Sequence, residues 1–179
     1  MSEYFNGKSS AKVVVVPAGF ALDEYLKYSA YICQPNRRFQ PCVRMAFYTK
    51  NKIDHRIPKI LGQIEAISSD EIETRTDLSD IERARLRALL NKMDSTRSEE
   101  WSKSKLKIVF LTPPDSPETL VLANDIENNL TSNTHHRRVT FARYQRYVSL
   151  SSLEKGPKFT SDLSTSQAPQ AISIFSKIR

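Results

Sequence analysis

At 179 residues with a net charge of +7 and a pI near 9.5, the chain is long enough for one substantial core and too short for two large domains. No apolar run approaches the ~20 residues of a membrane helix. The opening MSEYFNGKSS lacks the basic-then-apolar order of a secretory leader, which predicts a cytoplasmic protein with no membrane association.

Ala11 to Ala18, AKVVVVPA, is a β-branched run closed by Pro17 and Gly19, and predicts a strand buried on both faces. Leu22 to Tyr31 reads as a short helix with Asp23 and Glu24 early, and Gln34 to Arg38 as a loop carrying Arg37 and Arg38. Val43, Met45 and Phe47 then alternate with Arg44, Ala46 and Tyr48, a strand that turns at Lys50-Asn51-Lys52. Ile57 to Ile67 is extended but broken by Pro58 and Gly62, as at an edge or a bulge.

The polar SSDEIETRTDLSD predicts a mobile loop, followed by a helix capped by Ser79 or Asp80. Its inward face is read as Ile81, Ala84, Leu86, Ala88, Leu89 and Met93, making about 70–98 a helical insertion between strands. Trp101 reads as a core anchor for the strand Lys105 to Thr112, which ends in a Pro113-Pro114-Asp115 turn. Leu122, Ile126 and Leu130 at four-residue steps predict a helix over Leu120 to Leu130, and His135-His136 a polar turn. Val139 to Leu150 alternates as a strand, and residues 164–179 form a flexible tail in which Ile172 to Ile178 is either a terminal helix or a partner-binding segment.

This order predicts an α+β fold, a small curled mixed sheet or barrel with flanking helices, in one domain over 1–163. The strands at 11–18, 43–49, 105–112 and 139–150 are expected in a single curved sheet.

Charge is distributed in blocks. Residues 27–59 carry eight Lys/Arg against Asp54 alone, 65–100 are net acidic, and 135–158 set six Lys/Arg against Glu154. Basic blocks that meet in space would form one positive field. In a strand, Arg143, Gln145 and Tyr147 share a face beside Arg146, so guanidinium, amide and phenol would line up along a nucleic-acid backbone or base. The alternative is that Tyr144 and Tyr147 are core aromatics with solvated arginines between them.

Signatures of catalysis are sparse. Four glycines exclude a P-loop or dinucleotide fingerprint, no Asp or Glu has a lysine two residues later as in metal-dependent restriction nucleases, and Cys33 and Cys42 do not frame a zinc site or a disulfide scaffold. No cofactor and no metal are expected, and a binding role is favoured over an enzymatic one.

The run from Val43 to Ile67, VRMAFYTK and then IDHRIPKILGQIEAI, resembles the central hairpin of the PUA-like β-barrels, a group that includes ASCH and EVE domains. Lys107 to Thr112, Gln145 to Leu150 and Ser152-Leu153 resemble the closing strands and terminal helix of such barrels, so the order of elements is covered from Ala11 to Leu163. The resemblance implies a module that binds RNA or DNA, often sensing a modified or flipped base, as in bacterial and phage defence or restriction systems. It implies phosphate contacts from Arg37, Arg38, Arg44 and Lys50, with Tyr48, Arg143 and Tyr147 near the base. Two other classes stay open: an adaptor that binds an effector protein of a defence operon, and a small nuclease using His and Arg without a recognisable motif.

Overall fold

The structure, a computed structural model, describes residues 11–96, 105–132, 134 and 137–166. Its strands are β1 (Lys12–Pro17), β2 (Ala30–Cys33), β3 (Arg44–Thr49), β4 (Lys52–Ile53), β5 (Arg56–Ile57), β6 (Ile60–Ile67), β7 (Leu106–Leu111), β8 (Leu120–Val121), β9 (Ile126–Glu127), β10 (Arg146–Ser149) and β11 (Thr165–Ser166). Its α-helices are α1 (Ala21–Tyr28), α2 (Asp80–Thr96) and α3 (Leu150–Glu154). The fold is α+β, a strongly curled mixed half-barrel with few helices, as the sequence predicts.

β1 is the axis of the larger sheet, whose order is β11-β10-β1-β3-β4-β9. It runs parallel to β3 and antiparallel to β10, placing Val14 beside both Met45 and Tyr147. Four consecutive valines suit this position because both faces of the strand are buried. Val13 and Val15 pack with Ala46, Tyr48 and Ile53 on one side, whereas Val14 and Val16 pack with Tyr25, Met45, Phe47 and Tyr147 on the other. The β3–β4 hairpin turns at Lys50 and Asn51, whose φ values of 48° and 62° are those of the primed turns that match the strand twist.

The expected single sheet holds β1, β3 and β10 together, but β7 lies in a separate three-stranded sheet, β2-β7-β6. The two sheets meet where Arg44 bridges Lys59, through bonds from Ile60 N to the Val43 carbonyl at 3.0 Å and from Met45 N to the Pro58 carbonyl at 3.1 Å. The interruption of β6 is as anticipated, with register shifts between Ile60 and Gly62 and between Ile64 and Ile67.

Several local expectations are corrected. Leu120 to Leu130 is not a helix: β8 and β9 flank a bend, and Leu122 and Ile126 reach the core from extended backbone. The long strand over Val139 to Leu150 shrinks to β10, since 139–145 is irregular and Leu150 opens α3 with Ser149 as its cap. On α2 the buried face is Leu86, Leu89 and Leu90, against Ile64, Ile67, Ile72 and Leu106, while Ile81, Ala84 and Ala88 are exposed. Ser79 is the cap: its hydroxyl accepts from Glu82 N while its own N–H donates to the Glu82 carboxylate.

The loop before α2 is tied down by pairs between Arg75 and Asp77, Glu73 and Arg87, and Glu71 and Lys105. Thr165 and Ser166, read as the start of the tail, instead pair with β10. Trp101, His135-His136, the Met93 side chain and Ile172 to Ile178 lie outside what the structure describes. Among the described residues, no helix is long and apolar enough to cross a membrane.

Candidate nucleic-acid interface

The C-terminal ends of β1 and β3 and the start of β10 lie at one end of the larger sheet, because Pro17 pairs with Tyr48 and Val15 with Arg146. The two basic segments converge there through Arg37. Its Nη2 donates to the Tyr144 carbonyl at 2.6 Å, its Nε to Gln145 Oε1 at 3.3 Å, and its Nη1 to the Tyr31 hydroxyl at 2.9 Å. Gln145 returns a bond from Nε2 to the Arg38 carbonyl at 2.8 Å, and Gln40 N donates to the Tyr147 hydroxyl at 2.8 Å. The loop is pinned from below by the buried Lys107, whose Nζ donates to the Arg37 carbonyl and to Glu65 and lies 5.4 Å from the Phe39 ring centre.

This junction separates the sequence-derived site residues into two kinds. Arg37 and Gln145 are half-buried clamps. Arg146 is also structural, donating to the Phe141 carbonyl at 3.1 Å with its guanidinium 4.6 Å from the Phe141 ring centre. Arg38 and Arg143 are exposed, and Arg143 lies over the ring of Tyr144, which is 74% exposed.

The expected cleft of Tyr48, Arg143 and Tyr147 does not form. Tyr147 is fully buried among Tyr25, Met45 and Phe47, whereas Tyr48 packs with Val13, Val15 and Phe141 on the opposite face of the sheet. The Tyr48 hydroxyl is consumed there by Asn128 Nδ2 at 3.0 Å and Phe141 N at 3.3 Å. Burial also pushes the Tyr147 phenol above its ordinary pKa, although the bond from Gln40 acts the other way. Arg44 sits at the far end of β3, about 20 Å from Lys50 at the strand's ~3.3 Å rise per residue. It donates to the Ile57 and Glu118 carbonyls at 3.1 and 2.8 Å, so it joins β3 to neighbouring loops.

Tyr144, expected on the strand, is exposed instead, while Tyr48 and Tyr147, expected near the base, are buried. Strand alternation carried from Val139 fails because the strand starts only at Arg146, leaving Tyr144 on a loop that faces solvent. Phe20, also at this end and 63% exposed, lines a hollow of about 250 Å³ together with Pro17, Gly19, Tyr31 and Arg37.

Gly19 also borders a second cavity of about 330 Å³, between the start of α1 and the β3–β4 hairpin. Lys50, Lys52, Asp54, His55, Arg56 and Asp125 line it. The exposed Lys50 side chain meets no partner among the described residues. Asp54 is buried, and Arg56 closes on it with Nε on Oδ1 and Nη2 on Oδ2, both at 2.8 Å. Asp125 Oδ2 pairs with Lys52, and its Oδ1 accepts from His55 N at 2.9 Å and meets His55 Nδ1 at 2.8 Å.

Asp54, His55 and Asp125 bring potential ligand atoms within 4.8 Å of one another. Both carboxylates already have cationic partners in Arg56 and Lys52, so the cluster is charge-balanced without an added ion. Partial burial pushes the Asp125 carboxyl upward in pKa, but the bonds from Lys52 and His55 outweigh it and hold the group at about 2. The sequence signal for this cluster was Asp54 itself, the one acid in the basic block 27–59; Asp125 joins it only through tertiary structure.

No protein-family model matches the chain, and no curated protein matches it.

Proposed function

We propose that the protein is a nucleic-acid-binding module of the PUA-like kind that engages an unpaired stretch of RNA or DNA at this end of the sheet. The observation that carries the reading is the docking of the Arg37 loop onto Tyr144-Gln145, which brings the segment with the exposed Arg38 against the segment with the exposed Arg143 and Tyr144. Phosphates take the guanidinium groups, and a base stacks on Tyr144, a contact tolerant of sequence because every base has a π-face. Phe20 and Lys50 extend the surface along the hollows that meet at Gly19. Arg37, Gln145, Arg146 and Tyr147 act beneath it as supports, with Tyr48 in the core on the other side.

Fluorescence anisotropy with labelled single-stranded RNA and DNA tests the reading. Affinity is expected to fall with added salt as phosphate contacts release counterions, and to fall with Arg38→Glu or Arg143→Glu on every sequence tried. Wild-type affinity in both variants would reject this surface as the binding site.

A further inference from the structure

The Asp125–His55 pair has a geometry that the binding reading does not use. Asp125 is an ionised carboxylate and accepts hydrogen bonds only, so the contact at 2.8 Å requires the proton on His55 Nδ1. In its neutral form the ring then presents a lone pair at Nε2, which has no partner among the described residues, and the ring lines the 330 Å³ cavity. A second bond to the same carboxylate, from His55 N, fixes the ring's backbone as well. The cavity's one hydroxyl side chain, Thr49, makes no hydrogen bond to His55, so among the described residues no hydroxyl nucleophile is paired with this base. Lys50 and Asp23 also line the cavity; Lys52 is paired with Asp125, whereas Lys50 makes no ion pair among the described residues and is the cation left for a phosphate.

We infer that this cavity cleaves RNA without a metal ion, with His55 as general base and the ribose 2′-hydroxyl of the bound strand as nucleophile. The inference rests on the nucleic-acid reading above, whose surface adjoins the cavity at Gly19. The 2′-hydroxyl gives its proton to His55 Nε2 as its oxygen bonds to the adjacent phosphorus. The bond from phosphorus to the 5′ oxygen breaks, that oxygen takes a proton from water, and His55 returns its proton to the resulting hydroxide. The products are a 2′,3′-cyclic phosphate and a 5′-hydroxyl, with no net change in protons. Lys50 faces the charge that builds on the phosphoryl oxygens, and Asp125 is a positioning residue that holds the tautomer.

The test incubates end-labelled single-stranded RNA with the full chain in EDTA, reading the cut ends by gel and binding by anisotropy in the same samples. The expected result is cleavage with cyclic-phosphate ends, blocked at a position carrying a single 2′-deoxy sugar. His55→Gln, which keeps size without the base, is expected to slow cutting about 10²–10⁴-fold with binding retained. Asp125→Asn is expected to slow it less, and melting curves identify any variant that fails to fold. Intact RNA in samples that bind it overturns the cleavage inference alone, whereas absence of binding overturns the binding reading and this one together. Cutting that vanishes in EDTA, passes the 2′-deoxy position or persists in His55→Gln also overturns it.

Discussion

Arg37 donates to the main-chain carbonyl of Tyr144 at 2.6 Å, joining two basic segments far apart in sequence. Removing that guanidinium should act differently from removing its neighbour's. Arg37→Ala deletes several charge-assisted bonds and is expected to lower both the melting temperature and nucleic-acid affinity, since the loop it anchors carries Arg38. Arg38→Ala should lower affinity alone. Equal effects of the two on thermal melting would show that the junction holds without Arg37.

Tyr144 and Tyr147 form a matched pair for mutation. Tyr144→Ala removes an exposed ring and should leave melting within experimental scatter while weakening binding by roughly 1–3 kcal/mol. Tyr147→Ala truncates a fully buried ring and should cost about 3–5 kcal/mol of stability. Denaturant titration and anisotropy on both proteins check the contrast; a stable Tyr147→Ala protein would contradict the packing of this ring among Tyr25, Met45 and Phe47.

Asp125 predicts an acid limb in the stability profile. Its folded pKa, about 2, lies below the usual aspartate range. Its contribution is therefore complete above that range and lost as pH falls from about 4 toward 2. Asp125→Asn should flatten this part of the curve of unfolding free energy against pH. An unchanged slope would mean that Lys52 and His55 do not favour the ionised form in solution.

Ser79 caps α2 reciprocally with Glu82. Ser79→Ala is expected to cost about 1 kcal/mol, and Ser79→Asp to restore most of it. Chemical denaturation of the three proteins measures both steps.

What could be read from the sequence follows the range of the interactions involved. β1, the Lys50-Asn51 turn, the bulged β6 and α2 were legible because four valines, a turn dipeptide, a glycine and a capping serine act locally. The segment from Leu120 to Leu130 was not, since four-residue spacing of Leu122 and Ile126 also arises when two short strands flank a bend. The inward face of α2 slipped because Ile81, in the first turn, stays exposed, and the core contacts fall to Leu86, Leu89 and Leu90. At the candidate site, the arginines were visible as composition. Which of them hold the loops and which stay free depended on Arg37 meeting Tyr144, a relation that no short window contains.

The central place of β1 also bears on biosynthesis. Its neighbour β3 is synthesised soon after it, but the edge that receives β10 stays open until Ser149 has left the ribosome, on the order of ten seconds later at ordinary elongation rates. During that interval Val13 to Val16 is a row of four valines with one unpaired side, the kind of segment that recruits strands from other chains. Yield of this protein from cells is therefore expected to be governed by temperature and chaperone supply during translation more than by the stability of the finished fold.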